Sequence, residues 1–190
     1  MNSDFLPTEY EVPASSSQYM KFQPGDNKFR ILSAPILGWE YWVRADGTVK
    51  VPNDKSMKGD SPKRVKYNDP RPDKVTDPTS YKHFWAMVVW NCKEEKIQIL
   101  EITQSGIQKS LTALSKSPDW GNPVQAYDIV INKTGEKLET EYQTNPCPPK
   151  KIDPGITKLY EDMEIDINRL FEGKDPFKED LSETVNEIFK

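Results

Sequence analysis

The run HFWAMVVWNC (83–92), the polar break KEEK and the run IQILEITQ (97–104) constrain this chain more than any other feature. Two runs rich in β-branched and aromatic residues, joined by a short polar break, read as an antiparallel hairpin. A turn at Glu94-Glu95 sets Val89 opposite Leu100 and Met87 opposite Ile102, a uniformly apolar face suited to a core. Phe84, Val88, Trp90 and Ile99 fall on the other face, where Phe84 and Trp90 are expected to point outward. Trp85 fits either side.

Periodicity places the neighbouring elements. NKFRILSAPILGWEYWVR (27–44) gives two short strand-like runs broken at Ser33-Ala34-Pro35, with Lys28 and Arg30 alternating with Phe29 and Ile31. In GWEYWVR, Trp42 and Arg44 share a polar face with Glu40, whereas Trp39, Tyr41 and Val43 read as core. Residues 52–80 hold five prolines and almost no aliphatic side chain, so 45–82 reads as a long proline-rich loop. SGIQKSLTALSKS (105–117) places Ile107, Leu111 and Leu114 at helical spacing and stops at Ser117-Pro118. AYDIVINK (126–133), a turn at Thr134-Gly135-Glu136 and KLETEYQT (137–144) predict a second hairpin. Residues 1–24, with three prolines and a Ser-Ser-Ser run, read as a mobile arm. At the other end, Ile156, Leu159, Tyr160, Met163, Ile167, Leu170 and Phe171 predict one amphipathic helix. Leu181, Val185, Ile188 and Phe189 suggest a second, shorter one.

The body, 25–150, therefore reads strand (bent), long loop, hairpin, helix, hairpin. Five strands with a helix between the third and fourth is the order of the OB-fold, a small Greek-key barrel. The expected class is mostly β with appended helices: an arm at 1–24, the barrel at 25–150, and an acidic helical segment at 151–190.

Charge follows the same division. The chain as a whole carries −4, but 1–19 carries −3, 20–151 carries +5 and 152–190 carries −6. A mildly basic body is thus hidden inside an acidic whole, which keeps a nucleic-acid partner open. Other classes are excluded more firmly. The single histidine, His83, rules out sites needing two imidazoles, and no metal or other cofactor is expected. Two cysteines, Cys92 and Cys147, give no disulfide framework and point to a reduced, cytosolic setting. No apolar run approaches the ~20 residues of a membrane span, and the N-terminus has no secretory pattern. Walker, GxSxG and GxGxxG motifs are absent, so catalysis is not expected. Glu161, Asp162, Glu164 and Asp166 read as the solvated face of a helix rather than a metal site.

Aromatic and basic residues gather in one stretch. Eight of the 20 aromatics lie in 39–90, and 44–82 carries 10 Lys+Arg against six acids. Unpaired bases stack on aromatic faces at ~1–3 kcal/mol each while cations follow the phosphates. The expected binding residues are Lys28, Arg30, Trp42, Arg44, Lys50, Lys63, Arg64, Lys66, Tyr67, Phe84 and Trp90, and the expected ligand is single-stranded DNA. Two other readings stand beside it, an RNA-binding OB module and a non-catalytic adaptor working through its C-terminal helices. For the acidic segment, Leu181, Val185, Ile188 and Phe189 are expected to dock replication proteins, or the segment competes for the basic groove.

YMKFQPGDNKFRILSAPILGWEYWV, KIQILEITQSGIQKSL and WGNPVQAYDIVINKTGE resemble single-stranded-DNA-binding proteins of tailed bacteriophages, over roughly 19–150. That resemblance implies an OB barrel that coats transient single strands during replication and recombination in the host cytoplasm. It also implies an acidic tail that recruits polymerase, helicase or primase, and it assigns binding to Trp42, Arg44, Phe84 and Trp90. The chain departs from related patterns: it has no Gly/Gln-rich linker, no Asp-Ile-Pro-Phe tip and no His/Cys zinc site.

Overall fold

A computed structural model describes residues 17–43, 62–72, 81–121 and 126–177. The strands are β1 (Tyr19–Met20), β2 (Gly25–Ile31), β3 (Ile36–Tyr41), β4 (Lys63–Lys66), β5 (Lys82–Asn91), β6 (Lys96–Ile102), β7 (Ile129–Thr134) and β8 (Glu141–Pro146). Helix α1 (Ser105–Lys116) separates β6 from β7, and α2 (Pro154–Met163) follows β8. Short 3-10 helices lie at Lys137–Glu139 and Ile167–Glu172.

All eight strands form one mixed sheet, with β1-β6-β5-β2-β7-β8 as its path and β3 and β4 branching from β5. The branch follows from the break at 32–35. The C-terminal end of β5 pairs with β2 (Arg30↔Trp90) and its N-terminal end with β3 (Gly38↔Phe84). Ser33 pins the bend: its Oγ accepts the Val88 N–H at 2.9 Å, while the Leu32 N–H donates to the Val88 carbonyl at 2.9 Å. The sheet is not closed, for its path ends at β1 and β8. Phe22, just past β1, brings its ring to 5.9 Å from Tyr142 of β8 across that gap.

The predicted hairpin forms, with its register displaced. Met87 faces Leu100 and Val89 faces Gln98, because the turn spans Cys92–Glu95 rather than centring on Glu94-Glu95. Asn91 sets that turn: its side-chain oxygen accepts the N–H groups of Lys93 and Glu94, and Glu95 adopts a left-handed φ of 52°. The displacement is two residues, an even number, so every side chain keeps its face.

Other boundaries move as well. β8 begins at Glu141, not 137, since Gly135 and Lys137 take positive φ and a 3-10 turn leaves Leu138 wholly exposed. The predicted helix from Ile156 to Phe171 is two pieces, divided where Glu164 turns left-handed (φ 46°). The end of the expected N-terminal arm belongs to the sheet, with Tyr19 and Met20 paired in parallel to Ile99 and Leu100. Lys63, Arg64 and Lys66, expected in a loop, form β4 against β3.

Both faces of the sheet are covered. One core holds Phe29, Ile31, Met87, Val89, Leu100, Ile102, Ile129 and Ile131, closed by Ile107 and Leu111 of α1 and by Tyr127. The other holds Phe84, Ala86, Val88, Ile97 and Ile99 under Ile167, Leu170 and Phe177 of the C-terminal segment. Phe84 therefore does not point to solvent: it is 0% exposed. The stripe expected on one helix is what buries it.

Candidate nucleic-acid interface

β3, β4 and the start of β5 form a short wing, and alternation sorts its side chains. Leu37, Trp39 and Tyr41 of β3 share one face with Lys63, Val65 and Tyr67, and with Tyr81, His83 and Trp85. Gly38, Glu40, Arg64, Lys66, Lys82 and Phe84 lie on the other. The C-terminal segment covers the second face near Phe84; on the first the rings form an aromatic shelf.

The shelf is ordered by its own polar atoms. The Trp39 ring lies nearly parallel to Tyr67 (centroids 6.0 Å, 11°) and to Tyr81 (4.9 Å, 7°). His83 sits 4.8 Å from Trp39 and 5.3 Å from Tyr67. Trp39 Nε1 donates to the Tyr67 carbonyl at 3.2 Å, and Trp85 Nε1 donates to His83 Nε2 at 3.0 Å. Since Nε2 accepts, Nδ1 must carry the ring proton that it donates to the Gly38 carbonyl at 2.8 Å. With these donors engaged, what the shelf offers outward is ring surface. Tyr67 is 51% exposed and Leu37 39%. Charge stands beside it: the Arg71 guanidinium lies 4.9 Å over the Tyr81 ring, and Lys63 extends from the same face. Burial pushes the Tyr81 hydroxyl above its ordinary pKa, against the pull of Arg71, so it stays neutral.

The expected binding residues divide into four groups. Lys63 and Tyr67 meet on the shelf. Lys28, Arg30 and Trp90 meet elsewhere, in a cleft of about 370 Å³ lined also by Cys92, Asp128, Lys150 and Asp153 at the start of α2. There Arg30 is buried, with Nη2 2.6 Å from Asp128 and Nη1 donating to the Lys150 carbonyl at 3.0 Å, and Lys28 pairs with Asp128 at 3.2 Å. Burial raises the Cys92 thiol and keeps it protonated. Trp90 is half-buried and packs on the second core instead of standing free. In a third group, Arg64, Phe84 and Lys66 fall on the far face of the wing, and Trp42 follows the end of β3. Arg64 bridges Glu101 at 2.9 Å and Glu40 at 3.5 Å, so its charge is answered within the protein. Trp42, just past the end of β3, is half-buried, and Lys66 is exposed. The fourth group, Arg44, Lys50, Leu181, Val185, Ile188 and Phe189, lies outside the described residues.

Trp39 corrects the expectation most. Alternation in GWEYWVR predicts a core residue, yet Trp39 is half-buried in the shelf while Phe84 takes the core place. Tyr81 and Arg71 fall within the aromatic and basic stretch but, like His83, are not among the expected binding residues. The signal was present: Tyr81, His83 and Trp85 share a parity, as do Trp39 and Tyr41, and the β3–β5 pairing puts the two sets on one side.

Comparison of the chain with protein-family models, curated protein sequences and solved structures finds no match. Among the described residues no helix is long and apolar enough to cross a membrane, and no His, Cys, Asp or Glu cluster is placed to hold a metal.

Proposed function

We propose that this chain is a non-catalytic, sequence-tolerant single-stranded-DNA-binding protein that coats and protects transient single strands in phage replication and recombination. One observation carries the reading: the half-exposed Trp39–Tyr67 stack with Lys63 and Arg71 beside it. Bases stack on the exposed ring faces, and phosphates pair with cations that have no ion-pair partner among the described residues. The element order supports an OB reading: bent β2–β3, then β5, β6, α1, β7 and β8, in a fold known to be partly open. The phage setting rests on the resemblance over 19–150. The acidic C-terminal segment, 151–190, docks replication proteins through Leu181, Val185, Ile188 and Phe189 or competes for the basic groove.

Titration of the full chain with oligo-dT, followed by tryptophan fluorescence at several salt concentrations, tests this. Binding should quench the signal and weaken with salt. A matched RNA oligomer that binds more tightly would move the assignment to RNA, and no binding to either would refute it.

A further inference from the structure

The line of rings continues past the shelf. Between Trp85 and α1 runs an open trough of about 420 Å³, lined by His83, Trp85, Gln108, Lys109, Thr112 and Ala113. Its polar groups are turned inward. Trp85 Nε1 donates to His83, Gln108 Nε2 donates to the carbonyls of Ile102 (2.9 Å) and His83 (3.3 Å), and the Thr112 hydroxyl donates to the Gln108 carbonyl at 2.8 Å. What remains is ring and methyl surface. Lys109 stands exposed at the rim, with no ion-pair partner among the described residues.

His83 belongs to both surfaces. Its ring is 5.3 Å from Tyr67 and 6.5 Å from Trp85. A strand stacked on Tyr67 reaches Trp85 within a few nucleotides, each spanning ~3.4 Å even when stacked.

We propose that this trough is a second base-binding subsite, taking a nucleobase of the same single strand against Trp85 and its phosphate on Lys109. The inference rests on the proposed function. An apolar floor, one indole wall and one cation with no ion-pair partner among the described residues suit a base with a single negative charge attached, and continuity with the shelf supplies the rest of the strand.

Three variants of the full chain, Lys109→Ala, Ala113→Trp and Tyr67→Ala, test it by salt-titrated oligo-dT binding across a series of oligomer lengths. All three positions are exposed, and circular dichroism checks that each variant is folded. Lys109→Ala should lower the magnitude of the log–log salt slope by about 0.7, the loss of one phosphate contact. Ala113→Trp fills the trough and should weaken binding to long oligomers about 5-fold or more, the loss of one stacked base, while sparing the shortest that bind. If Tyr67→Ala weakens binding but the other two behave as wild type, the shelf stands and the trough is not a subsite. If the wild-type chain binds no oligo-dT, shelf and trough fall together.

Discussion

Arg64 ties three strands through one side chain. Its guanidinium bridges Glu40 of β3 and Glu101 of β6 and lies 4.9 Å over the Phe84 ring. Removing it leaves two carboxylates facing each other under the C-terminal segment. Arg64→Ala should therefore cost roughly 2–3 kcal/mol in urea denaturation, below the 3–5 of a fully buried pair because Glu101 retains solvent. Glu40 gives the pH dependence. Burial raises its pKa above the ordinary 4.5, outweighing the opposing pull of Arg64. A carboxyl raised in the folded state binds its proton more tightly there, so its contribution is fully present below about 4.5 and is lost as pH rises through the raised value. Glu40→Gln should gain stability relative to wild type across that rise; a constant difference in unfolding free energy from pH 4 to 7 would contradict the assignment. Gly38 is the other sensitive position. A Cβ there would come within 2.6 Å of Phe84 and the Val65 carbonyl and 2.7 Å of Phe171, so Gly38→Ala should destabilise by ~1–3 kcal/mol.

Among the elements, the C-terminal segment decides which face of the sheet is a surface. Leu170 and Phe177 seal Phe84, Val88 and Ile99, and Leu170→Ala should cost ~2–5 kcal/mol by thermal or urea unfolding. Ending the chain after Lys151 should expose the second core and abolish cooperative unfolding. Much of the strand pattern was legible because alternation survives an even register shift: both faces of β5 were read correctly from 84–102. What alternation does not carry is which face another element will cover. The cover for Phe84 comes from Ile167, Leu170 and Phe177, more than 80 residues downstream, on a stripe interrupted at Glu164, so alternation within the hairpin predicts a ring facing solvent. Trp39 failed for the converse reason. Its strand leaves the first core at the Ser33 bend, and periodicity within GWEYWVR cannot register that departure. Lys63 and Tyr67 were legible from composition alone, as adjacent basic and aromatic residues, but their strand pairing was not.

Over the whole molecule, charge is sorted between structure and surface. Arg30 and Arg64 are neutralised inside the fold by Asp128, Glu40 and Glu101, whereas Lys63 and Arg71 border the rings and Lys109 borders the trough. If a single strand places one phosphate on each of these three cations, as proposed, the salt slope should be about −2. The most direct measurement is oligo-dT affinity of wild type against Tyr67→Ala, each titrated from low to physiological salt. Tyr67 is exposed and, among the described residues, its side chain makes ring contacts with Trp39 and His83 alone, so the variant should fold normally, bind roughly 5-fold or more weakly through loss of one ~1–3 kcal/mol stack, and keep its salt slope. Equal affinity for the two proteins, with tryptophan emission unchanged by DNA, would mean that the shelf does not touch the strand.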